Sequence, residues 1–94
     1  MIIDKGVTLG DVVTIKLTSG EEIIASFIEE NNSYVKVKKP RVLTATTTGI
    51  GMVPYLFTVD PDRDVKIYKP ISVLELSDND SASQYTKSTS NIIL

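Results

Sequence analysis

Residues 11–37 read Asp11-Val-Val-Thr-Ile-Lys-Leu-Thr-Ser-Gly-Glu-Glu-Ile-Ile-Ala-Ser-Phe-Ile-Glu-Glu-Asn-Asn-Ser-Tyr-Val-Lys-Val37, and this stretch decides the fold. Val13, Ile15 and Leu17 alternate with Thr14, Lys16 and Thr18, the period-two pattern of a strand with one buried face. Thr18-Ser19-Gly20 turns the chain. A longer second segment sets Ile23, Ala25 and Phe27 against Ile24, Ser26 and Ile28, and Asn31-Asn32 turns it back into Tyr34-Val-Lys-Val37. Three alternating segments joined by such short turns form a β-meander, and half-buried twisted ribbons of this kind build small barrels.

Beyond Val37 the pattern loosens. Lys38-Lys39-Pro40 interrupts the third strand, and proline cannot donate to a ladder, so this point is expected at an edge, a bulge or the end of pairing. Residues 41–48 are β-branched and extended, and Gly49-Ile-Gly51 marks a reversal. Residues 52–60 alternate two largely apolar faces, which predicts a strand covered by something further, such as a neighbouring subunit. Asp60-Pro61-Asp62-Arg63 has the chemistry of a type I turn, and residues 65–69 and 71–76 give two last short strands around Pro70. Phe27, Phe57, Val13, Ile15, Leu17, Ile23, Val35, Val37, Val65, Ile67, Val73 and Leu76 are the core candidates, with Ala25 where the long strand bends. Residues 77–90 are rich in Ser, Thr, Asn and Asp and read as a disordered polar tail, with room for one or two helical turns capped by Asp80. Ile92-Ile93-Leu94 is an apolar terminus suited to docking in a groove or on an open edge.

The run Val13-x-Ile15-x-Leu17-x-x-Gly20, with small Ala25 and then Phe27, resembles the first motif of the Sm and Sm-like proteins. Tyr68-Lys69-Pro70-Ile71-Ser72-Val73 is similar to a degraded second motif, with lysine for arginine and proline for glycine. The chain also looks similar to compact Sm-like proteins of phages of marine bacteria, through Val53-Pro54-Tyr55 and its length. The resemblance covers residues 11–76. It implies an all-β fold: a strongly bent, five-stranded antiparallel Sm-like (SH3-like) barrel over residues 1–76. The amino-terminal helix is expected to be reduced or absent, and residues 77–94 to form a polar tail.

The same resemblance implies a function: a non-enzymatic homo-oligomeric ring that binds single-stranded RNA, without a cofactor. Asn31 and Asn32 would supply base-edge hydrogen bonds, Tyr34 the stacking face and Lys69 the cation. The departures are specific. The third strand starts early, so the family's aspartate register falls on Asn31 and its asparagine register on Val35, inside the strand. An oligomeric protein-binding module that has lost RNA binding is the competing reading.

Composition excludes much else. The chain has 94 residues, a net charge of −2, no cysteine and no histidine. Disulfides, thiolate catalysis and sulfur-ligated metals are absent together, and no serine or threonine has an imidazole base. Asp60-x-Asp62-x-Asp64 lacks the glycine and distal glutamate of a calcium loop. Lys36, Lys38, Lys39 and Arg41 form a short basic stripe that reads as a solvated strand face offset by Glu22, Glu29 and Glu30. No run is long enough to span a membrane, and Met1-Ile-Ile-Asp-Lys5 is unlike a signal peptide, so a cytoplasmic protein is expected.

Overall fold

The computed structural model describes residues 6–90, in which six antiparallel strands form one sheet and a helix follows them. The strands are β1 (Val12–Leu17), β2 (Glu22–Glu30), β3 (Tyr34–Thr46), β4 (Gly49–Pro54), β5 (Asp64–Tyr68) and β6 (Ile71–Leu76), and the helix is α1 (Asn79–Thr89). The order across the sheet is β4-β3-β2-β1-β6, with β5 also on β3. One long edge of β3 is therefore shared: β5 pairs along Tyr34 to Lys38 and β4 along Arg41 to Thr46.

The first three strands follow the alternation of the sequence. Gly20, at φ +110°, closes the β1–β2 turn with its N–H on the Leu17 carbonyl at 2.9 Å, a backbone angle that a side chain would strain. Val13, Ile15, Ile23, Ala25, Phe27, Val35, Val37 and Ile67 form the core, with Leu17, Val42, Val65, Ile71 and Leu74 packed against it. Burying an isoleucine such as Ile15 or Ile23 contributes ~1.5–3 kcal/mol.

Pro40 sits in a bulge. Ile24 faces Arg41 and Ser26 faces Lys38, so two residues of β3, Lys39 and Pro40, oppose Ala25 alone. Lys39 takes a left-handed φ of 53°. The extra residue shifts the alternation, which is why even-numbered Val42 joins odd-numbered Val35 and Val37 at the core. A second extra residue, Ile28, lies on β2, and a third irregularity separates Lys16 and Leu17 on the β1–β6 ladder.

Several expectations need correction. There are six strands rather than five, and β5 and β6 do not pair, so the sheet does not close on itself. The β3–β4 reversal lies at residues 47–48, ahead of Gly49. The strand expected over residues 52–60 ends at Pro54, and residues 55–63 form an irregular loop with Phe57 80% exposed. Val73 and Leu76 are likewise exposed. The expectation for an amino-terminal helix falls partly outside the described residues; within them, Thr8 to Asp11 is a turn held by the Asp11 carboxylate on the Thr8 N–H at 2.9 Å. Ile92-Ile93-Leu94 also lies outside them.

The polar segment expected to be disordered is a helix of 11 residues. Asp78, rather than Asp80, is its cap, accepting from the Ser81 N–H at 2.7 Å, a bond that holds the Asp78 carboxyl below its ordinary pKa. Packing outweighs the modest propensity of this sequence. Tyr85 is buried, and its hydroxyl donates toward the carbonyls of Lys38 at 3.0 Å and Lys39 at 2.8 Å, at the bulge. Lys39 reciprocates, its Nζ donating to the Thr89 carbonyl at 3.3 Å. Ile24 is fully buried yet outside the core cluster, on the face of β2 opposite Ile23 and Ala25.

Two outcomes check this architecture. Ala25→Leu overpacks the point opposite the bulge and should cost about 1–3 kcal/mol in urea unfolding; an unchanged midpoint would remove Ala25 from the tight site. Burial pushes the Tyr85 phenol from 10.0 up to about 12. The folded value lies above the unfolded one, so this contribution is intact below pH 10 and is lost as pH rises toward 12. Stability should therefore fall more steeply across that window in the wild type than in Tyr85→Phe, which has no phenol to titrate.

Candidate nucleic-acid interface

The β2–β3 turn and the β5–β6 link meet at one end of the sheet because β3 and β5 pair from Tyr34 and Tyr68 onward. The Lys69 N–H donates to the Ser33 carbonyl at 2.9 Å, tying the two loops together. Asn31, Asn32, Tyr34 and Lys69 thus come from residues far apart in sequence to a common end. Their side chains do different things.

Asn31 is a turn former. Its Oδ1 accepts from the N–H groups of Ser33 at 2.8 Å and Tyr34 at 2.9 Å, while its own N–H donates to the Tyr34 carbonyl at 3.0 Å. The acceptor that would read a base edge is thereby engaged with backbone. Asn32 is exposed, and its side chain makes no hydrogen bond to another described residue. Lys69 is paired, its Nζ donating to Glu30 Oε2 at 2.7 Å.

The aromatic part is stronger than the sequence indicated. Tyr34 and Tyr68 are cross-strand partners whose rings meet edge to face, with centroids 5.6 Å apart and planes at 73°. Tyr68 is the more open, 64% exposed, and presents the freer ring face. Lys36 and Lys66 stand directly opposite each other on the same ladder, a like-charge pair that would repel. Each has its own counterpart: Lys36 pairs with Glu29 at 3.5 Å, and the Lys66 ammonium lies 5.0 Å from the Tyr34 ring centroid. Lys36, Lys66 and Lys69 against Glu29 and Glu30 leave this end with one excess positive charge.

Sequence reading favours packing for Tyr68 and does not single out Lys66, although their alternation in Asp64-Val-Lys-Ile-Tyr68 puts both on the strand face away from buried Ile67. What it lacked was the register that sets them against Tyr34 and Lys36. The basic stripe is offset as expected by Glu29, and also by Asp64, which pairs with Lys38 at 3.7 Å. Among the described residues no helix is long and apolar enough to cross a membrane.

The two asparagines are separable by stability. Asn31→Ala removes two acceptor contacts and should cost about 1–2 kcal/mol in chemical denaturation, given ~0.5–1.5 kcal/mol net per hydrogen bond. Asn32→Ala should stay within about 0.5 kcal/mol of wild type. Equal effects would assign both to the turn.

No protein-family model matches this chain and no curated protein matches it, which leaves the chemistry of these side chains as the ground for a function.

Proposed function

We propose that this protein is a non-enzymatic Sm-like subunit that assembles into a ring and binds single-stranded RNA on the face formed by Tyr34, Tyr68, Lys66 and Lys69. The observation that carries this reading is the convergence of two aromatic rings and two lysines from β3, β5 and the β5–β6 link near the paired ends of β3 and β5. Aromatic faces with adjoining cations are how proteins hold single strands: rings stack on bases and ammonium groups follow phosphates. Tyr68 is the principal stacking ring and Tyr34 supports it edge-on. Asn32 is the base-edge donor, and Asn31 shapes the turn.

Assembly is supported by the sheet edges. The sheet runs β6-β1-β2-β3, and β4 and β5 share the far edge of β3. Among the described residues nothing pairs with the second edges of β5 and β6, and Val73 and Leu76 on β6 are exposed. An open edge with apolar side chains is a template for another strand. Pairing β5 of one subunit with β6 of the next is heterologous and closes into a ring when the rotation permits.

A second reading, an oligomeric protein-binding module without RNA affinity, is favoured by one observation. Glu30 occupies the Lys69 ammonium that would otherwise meet phosphate.

Titration with oligouridine and oligoadenine at two salt concentrations separates these readings. Tyr68→Ala and Tyr34→Ala should each weaken binding at least several-fold, since a stacked base is worth ~1–3 kcal/mol. Lys66→Ala should reduce the salt slope by about one charge. Light scattering should give a mass several times 10.3 kDa. Wild-type protein that binds no RNA at low salt would leave the protein-binding reading, and a clean monomer at micromolar concentration would remove the ring from both.

A further inference from the structure

Where β4 and β5 part along the edge of β3, a cleft of about 400 Å³ opens, within the size range of small-molecule sites. Its walls are the bulge of β3, the loop over residues 55–63 and the carboxyl end of α1. At about 3.3 Å per residue, Arg41 on this wall lies roughly 20 Å along β3 from Tyr34. The cleft is therefore a site separate from the Tyr34–Tyr68 face.

Three features define what it accepts. Phe57, on the loop, is 80% exposed and offers an unstacked ring. Arg41 and Arg63 both line the cleft, and neither guanidinium forms an ion pair among the described residues. Asp60 and Asp62 line it too; Asp60 Oδ1 accepts from the Asp62 N–H at 2.9 Å, which fixes the loop and leaves carboxylate oxygens to accept further bonds.

A bare anion is opposed by the two aspartates. A purely apolar ligand leaves two unpaired guanidinium groups to be desolvated for nothing. A planar ring carrying amino or ring N–H donors, joined to a phosphate, satisfies all three features at once. Guanidinium groups bind phosphate through paired N–H donors, a phenyl face stacks on a base, and carboxylates accept from base edges.

We propose that this cleft binds a nucleoside phosphate, free or as one unit of a single strand. The base stacks on Phe57, the phosphate meets Arg41 and Arg63, and Asp60 or Asp62 accepts from the base edge. The carboxylates favour a base with exocyclic amino groups over uracil, which offers one ring N–H and two acceptor carbonyls. This selectivity is a property of the cleft and does not depend on the RNA reading of the other face.

The test is calorimetric titration of the full chain with AMP, GMP, CMP and UMP, with adenosine and inorganic phosphate alone, and with short single-stranded oligonucleotides. The expected result is binding of a nucleoside monophosphate at least tenfold tighter than either of its parts. Phe57→Ala and Arg63→Ala should each weaken it at least fivefold, and Arg41→Ala likewise. Loss of oligonucleotide binding in Tyr34→Ala and Tyr68→Ala, with the mononucleotide response still abolished only by the cleft variants, keeps failure of this site distinct from failure of the other. Phe57 and Arg63 are exposed, so their variants decide the matter if Arg41→Ala does not fold. Oligonucleotide binding without mononucleotide binding, lost in Phe57→Ala, identifies the source as a strand. No nucleotide binding at millimolar concentration, or binding indifferent to all three cleft variants, overturns the proposal. So does an acidic aromatic peptide that occupies the cleft and is not displaced by any nucleotide.

Discussion

Proline 40 has no N–H to give to a ladder, yet it lies inside the longest strand of the sheet. The chain accommodates it by setting Lys39 in a left-handed conformation and opposing the pair to a single small residue, Ala25. From this constraint several features descend. The alternation of β3 shifts there, the partner on its outer edge changes from β5 to β4, and the carbonyls of Lys38 and Lys39 become acceptors for the Tyr85 hydroxyl. The helix that delivers Tyr85 is thus fastened to the least regular point of the sheet. It supplies from outside the hydrogen bonding that the ladder lacks.

How far sequence alone could go depends on whether a feature is local. The alternation of Val13, Ile15 and Leu17, the turn at Gly20 and the core placement of Ile23, Phe27, Val35 and Val37 depend on residues two apart, and all can be read directly. The bulge at Pro40 could be anticipated as one of three outcomes, since the missing donor was visible and its partner was not. Phe57 and Val59 alternate like a strand but have no neighbour to pair with, and Pro54 and Pro61 bracket them. Helix α1 was legible only as one or two turns, for the opposite reason. Its composition is that of a tail, and one buried side chain, Tyr85, depends on an acceptor about 46 residues earlier.

The candidate interface shows the same division. That the Asn31 turn and the Lys69 loop belong together followed from the motif order. That Asn31 is consumed by its own turn and Lys69 by Glu30 did not, because both depend on distances of under 3 Å. A local motif names the loops, and register decides which side chains remain available. Here register sets Tyr68 beside Tyr34 and Lys66 over the Tyr34 ring, on a protein whose overall charge is −2. Short-range pairing with Glu29, Asp64 and Glu30 keeps Lys36, Lys38 and Lys69 local in their influence.

The ladder between β1 and β6 sets Val13 against Leu76. During synthesis β1 is available from the start, whereas its second neighbour arrives only after 63 further residues, the difference between these two positions. At ~5–20 residues per second, roughly 3 to 13 s pass in which β2 can pair with one side of β1 while the other side waits. On a polysome, nascent chains at adjacent ribosomes would carry the same unfinished edge within reach of one another. Order of emergence thus gives β1 an interval in which its correct partner does not yet exist, and the exposed Lys16 is the charge on that strand that disfavours pairing with a like edge.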